Sequence, residues 1–225
     1  AIEKSLKQSA AIYICTPNNP TGVLPPQHEL LQIIEWAAQT NTLVVLDEAF
    51  IDFIGEHVAL IERAPTWPHV IVVRSMTKMY KMPGVRLGYA VAHEAIIAKL
   101  RAFTAHWHIN GIASALGKEM LELQAYRAQT IDALRAPRET FLTFLQENGY
   151  KYTHSQTNYV SFQLPDRSLS DAFYTFMLHR GCVLRHTKNF LGMDGSWFRV
   201  GIKERAKMDV LKEGMMAWHK HRLSL

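Results

Sequence analysis

The chain has 225 residues, 48% of them hydrophobic, which is enough for one large domain, or one and a half ordinary ones, around an apolar core. No stretch approaches roughly 18 uninterrupted apolar residues, and the first residues lack the layout of a signal peptide, so we expect a cytoplasmic protein without a membrane partner. The formal charge of +5 comes from scattered Lys and Arg residues, which argues against a nucleic-acid partner and suits small anionic ligands.

The first half alternates short apolar runs with helical patterns, an order typical of βαβ units on a parallel sheet. Strands are predicted at residues 11–15, 43–46, 70–73 and 88–92, with a covering helix at 28–39. Because these runs show no polar alternation, we expect buried strands with helices on both faces. Cys15 and Cys182 lie far apart inside apolar runs and are interpreted as reduced core residues.

The second half begins with a helical pattern over residues 111–148, in which a break or kink is predicted near Pro137 and a stop at Gly149. Strands near 151–153, 159–164, 182–185 and 197–202 follow, with helices over 169–180 and from residue 204. We therefore predict an α/β fold: residues 1–110 belong to a three-layer large domain with a mainly parallel sheet, 111–148 form a helical connector, and 149–225 form a smaller α+β C-terminal domain.

The most specific stretch is Ser75-Met-Thr-Lys78, which directly follows a predicted strand and precedes Arg86. A loop at the carboxyl end of a parallel strand is where open α/β sheets bind ligands. Arg86 offers a planar fork to phosphate oxygens, Ser75 adds a hydroxyl donor, and the Lys78 amine can form an imine. These groups predict a site for a phosphorylated aldehyde.

Two alternatives exist for this stretch. S-x-x-K also occurs at the start of a helix in serine acyl-transfer enzymes. Pro83 and Gly84 would end such a helix after barely a turn, and neither S-D-N nor K-T-G occurs in the chain. The other alternative is that Lys78 is an ordinary exposed loop lysine.

Two further motifs fall at the ends of neighbouring predicted strands. Asn19, in TPNNPTG, can donate to an oxygen substituent on a ring, and Asp47, in DEAF, can pair with a protonated ring nitrogen. Taken singly, N-P-T-G is a turn signal, and a strand-end aspartate is equally a capping residue or a metal ligand.

The order and spacing of NNPTG, VVLDEAF and SMTK, with Arg86 eight residues after Lys78, resemble the large domain of fold-type I enzymes of the class I/II aminotransferase family. The resemblance implies pyridoxal 5'-phosphate as cofactor and a homodimer. No metal is expected, because the sequence shows no further ligand set beyond His106 and His108. The resemblance also implies that Lys78 is the catalytic residue and holds the cofactor as a Schiff base. It further implies that Asn19 binds the phenolic oxygen of the cofactor and Asp47 its ring nitrogen, while Ser75 and Arg86 hold the phosphate.

Two departures from the family pattern are visible. Family members begin well before the N-P-T-G turn, with a segment that supplies a glycine-rich phosphate-binding turn, so the chain is expected to be N-terminally truncated and to hold the phosphate more weakly. In addition, Phe50 stands where many relatives have a tyrosine that donates to the phenolic oxygen, and phenylalanine cannot donate.

The rest of the chain is similar to two subfamilies, the histidinol-phosphate aminotransferases and the threonine-phosphate decarboxylases of cobalamin synthesis. The stretches VLRHTKNFLG, FRV, DEAF and WHING resemble the decarboxylases more closely. By this resemblance Arg199 clamps the substrate carboxylate, Arg185 contacts the substrate phosphate, and Asn110 contacts substrate or cofactor. The alternatives are strand arginines without a ligand and, for Asn110, a helix cap.

We therefore expect a lyase that acts on a phosphorylated amino acid or amine and is similar to L-threonine-O-3-phosphate decarboxylase. One alternative is a transferase, an aminotransferase of the histidinol-phosphate type. The other is a non-catalytic, aminotransferase-like domain that binds an effector. The fold does not choose between them, because in a transaminase Lys78 takes the Cα proton, whereas in a decarboxylase it returns a proton to that carbon.

Overall fold

The computed structural model describes residues 1–222, which form two compact units. Unit 1 comprises residues 1–19 and 24–128, and unit 2 comprises residues 20–23 and the described residues from 129 onwards. The domain limits expected from the sequence, at residues 110 and 148, remain predictions. Within residues 1–222, every helix is too short or too polar to span a bilayer.

Unit 1 is built on a four-stranded sheet in the order β1-β2-β3-β4. The strands are β1 Ala11–Cys15, β2 Leu43–Asp47, β3 Val70–Ser75 and β4 Gly88–Ala92. The first three are parallel, and β4 runs antiparallel to β3. The helices are α1 Ile2–Leu6, α2 Gln27–Gln39, α3 Met76–Met79, α4 Glu94–Phe103 and α5 Gly111–Glu122. Short 3-10 turns lie at Ile51–Phe53, Glu56–Val58, Ala64–Thr66 and Pro83–Val85.

The core of unit 1 lies between the central strands and α2. Val44 and Leu46 of β2 and Val72 of β3 are fully buried and pack with Leu30 and Ile34 of α2. The prediction of four buried strands holds for β2 and β3 and is wrong for β1 and β4, which contain exposed residues. The reason is that β1 and β4 are the edge strands of the described sheet and have one neighbour each.

Unit 2 contains an antiparallel sheet in the order β5-β6-β8-β7. Its strands are β5 Lys151–Tyr152, β6 Tyr159–Gln163, β7 Arg185–His186 and β8 Trp197–Gly201. Its helices are α7 Ser170–His179 and α8 Arg205–His221, with a 3-10 turn at Arg167–Leu169. Aromatic rings form the core: Phe162 packs edge-on against Phe141 and Phe173, and Phe173 packs against Trp218.

The helix α6, Gln124–Glu147, begins in unit 1 and enters unit 2 at residue 129. The break in the helical region lies at Leu123, between α5 and α6, and not at Pro137, which lies inside α6. A proline removes one backbone hydrogen bond, and the bonds of the flanking turns hold the helix together. The strand predicted at 182–185 is shifted to Arg185–His186, and Cys15 and Cys182 are free but only partly buried.

Candidate active site

Lys78 lies on α3, a single helical turn that directly follows β3 where the sequence predicts a loop. Ser75 is the N-cap of this turn, because its Oγ accepts a hydrogen bond from the Thr77 N–H at 3.4 Å. The same oxygen lies 2.9 Å from the Thr77 hydroxyl and accepts from Lys78 Nζ at 2.9 Å. Ser75 and Lys78, predicted to serve one site, are therefore in direct contact, and the Lys78 side chain is exposed.

Asp47 is the last residue of β2, and both of its carboxylate oxygens are held. Oδ1 accepts from the Ala49 N–H at 2.9 Å, and Oδ2 accepts from the Tyr13 hydroxyl at 2.5 Å. The register of β1 and β2 pairs Cys15 with Asp47 and Tyr13 with Val45. Because side chains alternate along a strand, Tyr13, Cys15 and Asp47 project from one face of the sheet.

The Cys15 thiol interacts with three of the predicted residues, Asp47, Asn19 and Lys78. Burial raises the pKa of its thiol, the Asp47 charge adds to this rise, and a hydrogen bond from the Asn19 backbone and the Lys78 charge oppose it. The thiol therefore stays protonated near neutral pH. The structure thus brings Asp47, Lys78 and Asn19 into one neighbourhood of unit 1 around Cys15.

Arg86 lies just before β4, the strand that pairs with β3. Ser75 pairs with Gly88, and the Met76 N–H donates to the Leu87 carbonyl at 3.2 Å. Arg86 is exposed, has a left-handed backbone with φ of 56°, and donates to the Pro83 carbonyl at 3.0 Å. The guanidinium is thus carried by the segment that enters β4 beside Ser75.

A buried group of charged residues lies next to these positions and was not predicted from the sequence. Arg74, which precedes Ser75, is 5% exposed. Its Nε donates to Glu48 at 2.9 Å, its Nη1 to Asp52 at 3.3 Å, and its Nη1 and Nη2 to Glu56, each at 2.9 Å. We call this group, completed by Arg127, the ion cluster.

Arg127, on α6, closes the ion cluster. Its guanidinium donates to Asp52 at 3.1 Å and also to Glu56. The pKa of Glu56 is lowered to about 2, mainly by hydrogen bonds from Arg74. Burial raises the pKa of Glu48 and that of Asp52. Glu48 in DEAF and Arg74 before Ser75 are charges within apolar strand patterns and could have been noticed, but no sequence signal marks Arg127.

In unit 2, Arg185 and Arg199 are directly opposite each other on β7 and β8. The Arg199 guanidinium lies 5.0 Å from the Tyr159 ring centroid, and Arg185 donates to Asn189 Oδ1 at 3.1 Å. Burial lowers the pKa of Arg199, and the charge of Arg185 lowers it further. Like charges directly opposite on a sheet repel, so this arrangement suits an anionic ligand.

Asn110 is the N-cap of α5. Its Oδ1 accepts from the Ala113 N–H at 2.8 Å, and its amide donates to the Val85 carbonyl at 3.2 Å. The helix-cap alternative therefore describes the structural role of Asn110, and its contact with substrate or cofactor stays a prediction.

The donor groups of unit 1 fit a phosphorylated aromatic aldehyde that carries a ring nitrogen. The Lys78 amine can bind an aldehyde carbon, the Ser75 hydroxyl and the Arg86 guanidinium are donors for a phosphate, and the Asp47 carboxylate is an acceptor for a protonated nitrogen. In the part of the chain that the structure describes, no group of three or more His, Cys, Asp or Glu residues could hold a metal ion.

Comparisons with known proteins point to one family. A family model described as aminotransferase class I and II matches residues 1–214. The chain is 32% identical over 202 residues to the threonine-phosphate decarboxylase of Salmonella typhimurium, covering 89% of this chain and 55% of that protein. It is 29% identical over 211 residues to the histidinol-phosphate aminotransferase of Thermobifida fusca, covering 93% and 54%. The chain spans about half the length of these curated relatives.

Solved structures show the same fold. The crystal structure of histidinol-phosphate aminotransferase from Clostridium acetobutylicum matches with a TM-score of 0.92 at 24% identity, covering 98% of this chain and 67% of that one. The L-threonine-O-3-phosphate decarboxylase from Porphyromonas gingivalis matches with a TM-score of 0.81 at 24% identity, covering 93% and 64%. The predicted α/β fold, with its mainly parallel sheet and a smaller α+β unit, is confirmed.

Proposed function

Because the chain belongs to the aminotransferase class I and II family, we propose that it is part of a pyridoxal 5'-phosphate-dependent enzyme that acts on a phosphorylated amino acid or amine. The observation that carries this proposal is the 2.9 Å contact between Lys78 Nζ and Ser75 Oγ at the end of β3, beside the strand that ends in Asp47. A reactive amine, a phosphate donor and a carboxylate are thereby combined at one sheet end, where α/β folds bind ligands.

When bound, pyridoxal phosphate supplies an electron sink for charge that develops at the substrate Cα. Asp47 would accept a hydrogen bond from the ring nitrogen and favour its protonated form. Ser75 and Arg86 would hold the phosphate, and Asn19 would donate to the phenolic oxygen. Lys78 would hold the aldehyde carbon through its amine and would carry the proton that leaves or returns to the substrate Cα.

We propose that Arg199 binds the substrate carboxylate and Arg185 the substrate phosphate. Their cross-strand pairing and the desolvation of Arg199 support this assignment, because an anionic ligand removes the repulsion between two neighbouring guanidinium groups. Asn110, the cap of α5 beside Val85, is assigned a contact with substrate or cofactor. In the whole enzyme, we assign residues 1–110 to the cofactor-binding domain, 111–148 to a connector and 149–225 to the small domain, in a cytoplasmic homodimer.

Decarboxylation of L-threonine-O-3-phosphate is the first candidate reaction, supported by the relative of that type with 32% identity. A role in cobalamin biosynthesis would follow from it. Transamination of the histidinol-phosphate type is the second candidate, supported by a relative with 29% identity. Both reactions need the same lysine and the same carboxylate, so the residues of unit 1 support either one.

Trapping of the cofactor tests the site. The protein is incubated with pyridoxal phosphate, reduced with borohydride and digested, and its peptides are analysed by mass spectrometry. The pyridoxyl group is expected on the Lys78 peptide of the wild type and of the control Lys81→Arg, and on no specific peptide of Lys78→Arg. A label spread evenly over exposed lysines would contradict the proposal.

The reaction is tested by supplying threonine phosphate alone, or histidinol phosphate with 2-oxoglutarate, and measuring carbon dioxide and glutamate. Carbon dioxide from threonine phosphate supports the first candidate. Glutamate without carbon dioxide rejects it in favour of the second. In the whole protein of which this chain is part, specific labelling of Lys78 without either product indicates an effector-binding domain.

A further inference from the structure

Tyr13 lies outside every motif that the sequence predicts, yet its hydroxyl oxygen is 2.5 Å from Asp47 Oδ2. We propose that Tyr13 is a positioning residue that orients the Asp47 carboxylate toward a protonated heteroaromatic ring nitrogen. This inference rests on the proposed function and deepens it by adding a residue that acts through Asp47.

The geometry fixes the carboxylate from two sides. The Ala49 N–H holds Oδ1 at 2.9 Å, and the Tyr13 hydroxyl holds Oδ2. Two donors on different oxygens define the plane of the carboxylate and oppose its rotation about the Cβ–Cγ bond. A carboxylate offers about four acceptor positions, so two positions stay open for a further N–H donor.

The Tyr13 hydroxyl remains the donor of this hydrogen bond because the phenol keeps its proton. Partial burial of the hydroxyl, and then the hydrogen bond to Asp47, raise the pKa of Tyr13 well above its ordinary value, although most of the residue is exposed. The Cys15 thiol on the same face also stays protonated, since burial raises its pKa. Tyr13 is thus the donor of this hydrogen bond, and Asp47 Oδ2 accepts it.

Tyr13 is too exposed to contribute much to the core. It is 63% exposed, whereas Tyr150 and Tyr159 of unit 2 are each 4% exposed. A side chain that is so open to solvent adds little packing free energy. Tyr13→Phe therefore removes one hydrogen bond and should leave the thermal stability of the protein nearly unchanged.

The test compares two ligands, pyridoxal phosphate and its 1-deaza analogue, in which carbon replaces the ring nitrogen. Tyr13→Phe should weaken the binding of pyridoxal phosphate roughly tenfold, the size expected for one hydrogen bond to a charged group. Binding of the deaza analogue should not change, because it offers Asp47 no N–H donor. Both affinities are measured by absorbance titration, with Tyr152→Phe, which loses the hydroxyl of a tyrosine in unit 2, as the matched control.

A double variant completes the design. In an Asp47→Asn background, Tyr13→Phe should have no further effect on pyridoxal phosphate binding, because the two residues act as a unit. In the protein without ligand, Asp47→Asn should also lower the pKa of the Tyr13 phenol, measured by its ultraviolet absorbance.

Equal losses for the two ligands, or no loss for either, would overturn the role of Tyr13 while leaving the proposed function intact. Failure of the wild type to bind pyridoxal phosphate contradicts the proposed function and with it the role of Tyr13. An unchanged pKa of the Tyr13 phenol in Asp47→Asn would show that the hydrogen bond between Tyr13 and Asp47 does not form, and this would overturn the inference.

Discussion

Arg74 and Glu56 form a bidentate ion pair in unit 1, in which each of the two N···O distances is 2.9 Å. The Arg74 side chain is 3% exposed, so carboxylates replace the water that a guanidinium would otherwise bind. Glu48 and Asp52 also bind this guanidinium, so Arg74, which precedes Ser75, is tied directly to Glu48, which follows Asp47. Loss of one carboxylate leaves part of a buried charge without a partner.

We predict that Glu56→Gln lowers the free energy of unfolding by about 1–2 kcal/mol, because a charge-assisted bond to Arg74 becomes a neutral one. Half exposure of Glu56 keeps the loss below that of a fully buried pair. Urea unfolding followed by circular dichroism measures it, with the exposed Glu62→Gln as control. Equal stability of the two variants would show that the ion pair contributes nothing.

The same ion pair predicts a pH dependence in acid. Hydrogen bonds from Arg74 lower the folded-state pKa of Glu56 from 4.5 to about 2. The folded protein therefore binds fewer protons than the unfolded chain in this range, and the contribution of Glu56 to stability is lost as pH falls from about 4.5 toward about 2. The stability difference between wild type and Glu56→Gln should shrink over this range, as measured by urea unfolding at several pH values.

His219 on α8 gives unit 2 a pH dependence at a higher pH. Its Nε2 lies 3.1 Å from the Tyr150 hydroxyl, and burial, followed by the Arg222 charge, lowers its pKa below 6.5. Folding therefore favours neutral His219, and stability should fall as pH drops below about 6.5.

His219→Gln should flatten this dependence, measured as urea midpoints between about pH 7.5 and about pH 5. His179→Gln, which alters an exposed histidine at the end of α7, is the control and should keep the wild-type slope. A slope that survives in His219→Gln would assign the dependence to another group.

Gly22, in the N-P-T-G turn, has φ of 70°, and a Cβ there would lie 1.9 Å from Ser155 Oγ. Gly181 has a similar φ of 75°, but a Cβ there would meet open space. We predict that Gly181→Ala costs about 1–2 kcal/mol from backbone strain alone, and that Gly22→Ala costs about 2–5 kcal/mol because a steric clash is added. Thermal and urea unfolding of both variants measure the difference in stability. Equal losses of stability in the two variants would show that the clash with Ser155 adds no cost.

Phe50 provides a test that depends on the bound cofactor. Lys78 Nζ lies 5.8 Å from the centroid of the Phe50 ring. A tyrosine at this position could donate to the phenolic oxygen of pyridoxal phosphate and stabilise its negative charge. Phe50→Tyr should therefore lower, by roughly one unit, the pH at which the absorbance of the bound cofactor shifts. Phe103→Tyr, at an exposed position, is the control; no shift, or a shift to higher pH, would contradict the site as proposed.

The predictable part of the site consists of residues that are close in sequence. Ser75 and Lys78 are three residues apart, and the contact between them could be expected once the strand before them was identified. Arg127 and Asp52 are 75 residues apart, and their ion pair depends on where α6 begins. Local patterns carry no information about such a contact, because it is specified by the packing of elements that are distant along the chain.

The positions of the strands of unit 1, the covering helix α2 and the chemical groups at the ends of β2 and β3 could be predicted from the sequence. Unbroken apolar runs and polar motifs directly after them are local features, and local features can be recognised without a fold. The folded structure was needed to show that Tyr13 bonds to Asp47, that Arg74 is buried among three carboxylates and that Arg185 lies opposite Arg199. The reason is that strand register and helix packing set which side chains meet, and a shift by one residue would turn every side chain of a strand to the other face.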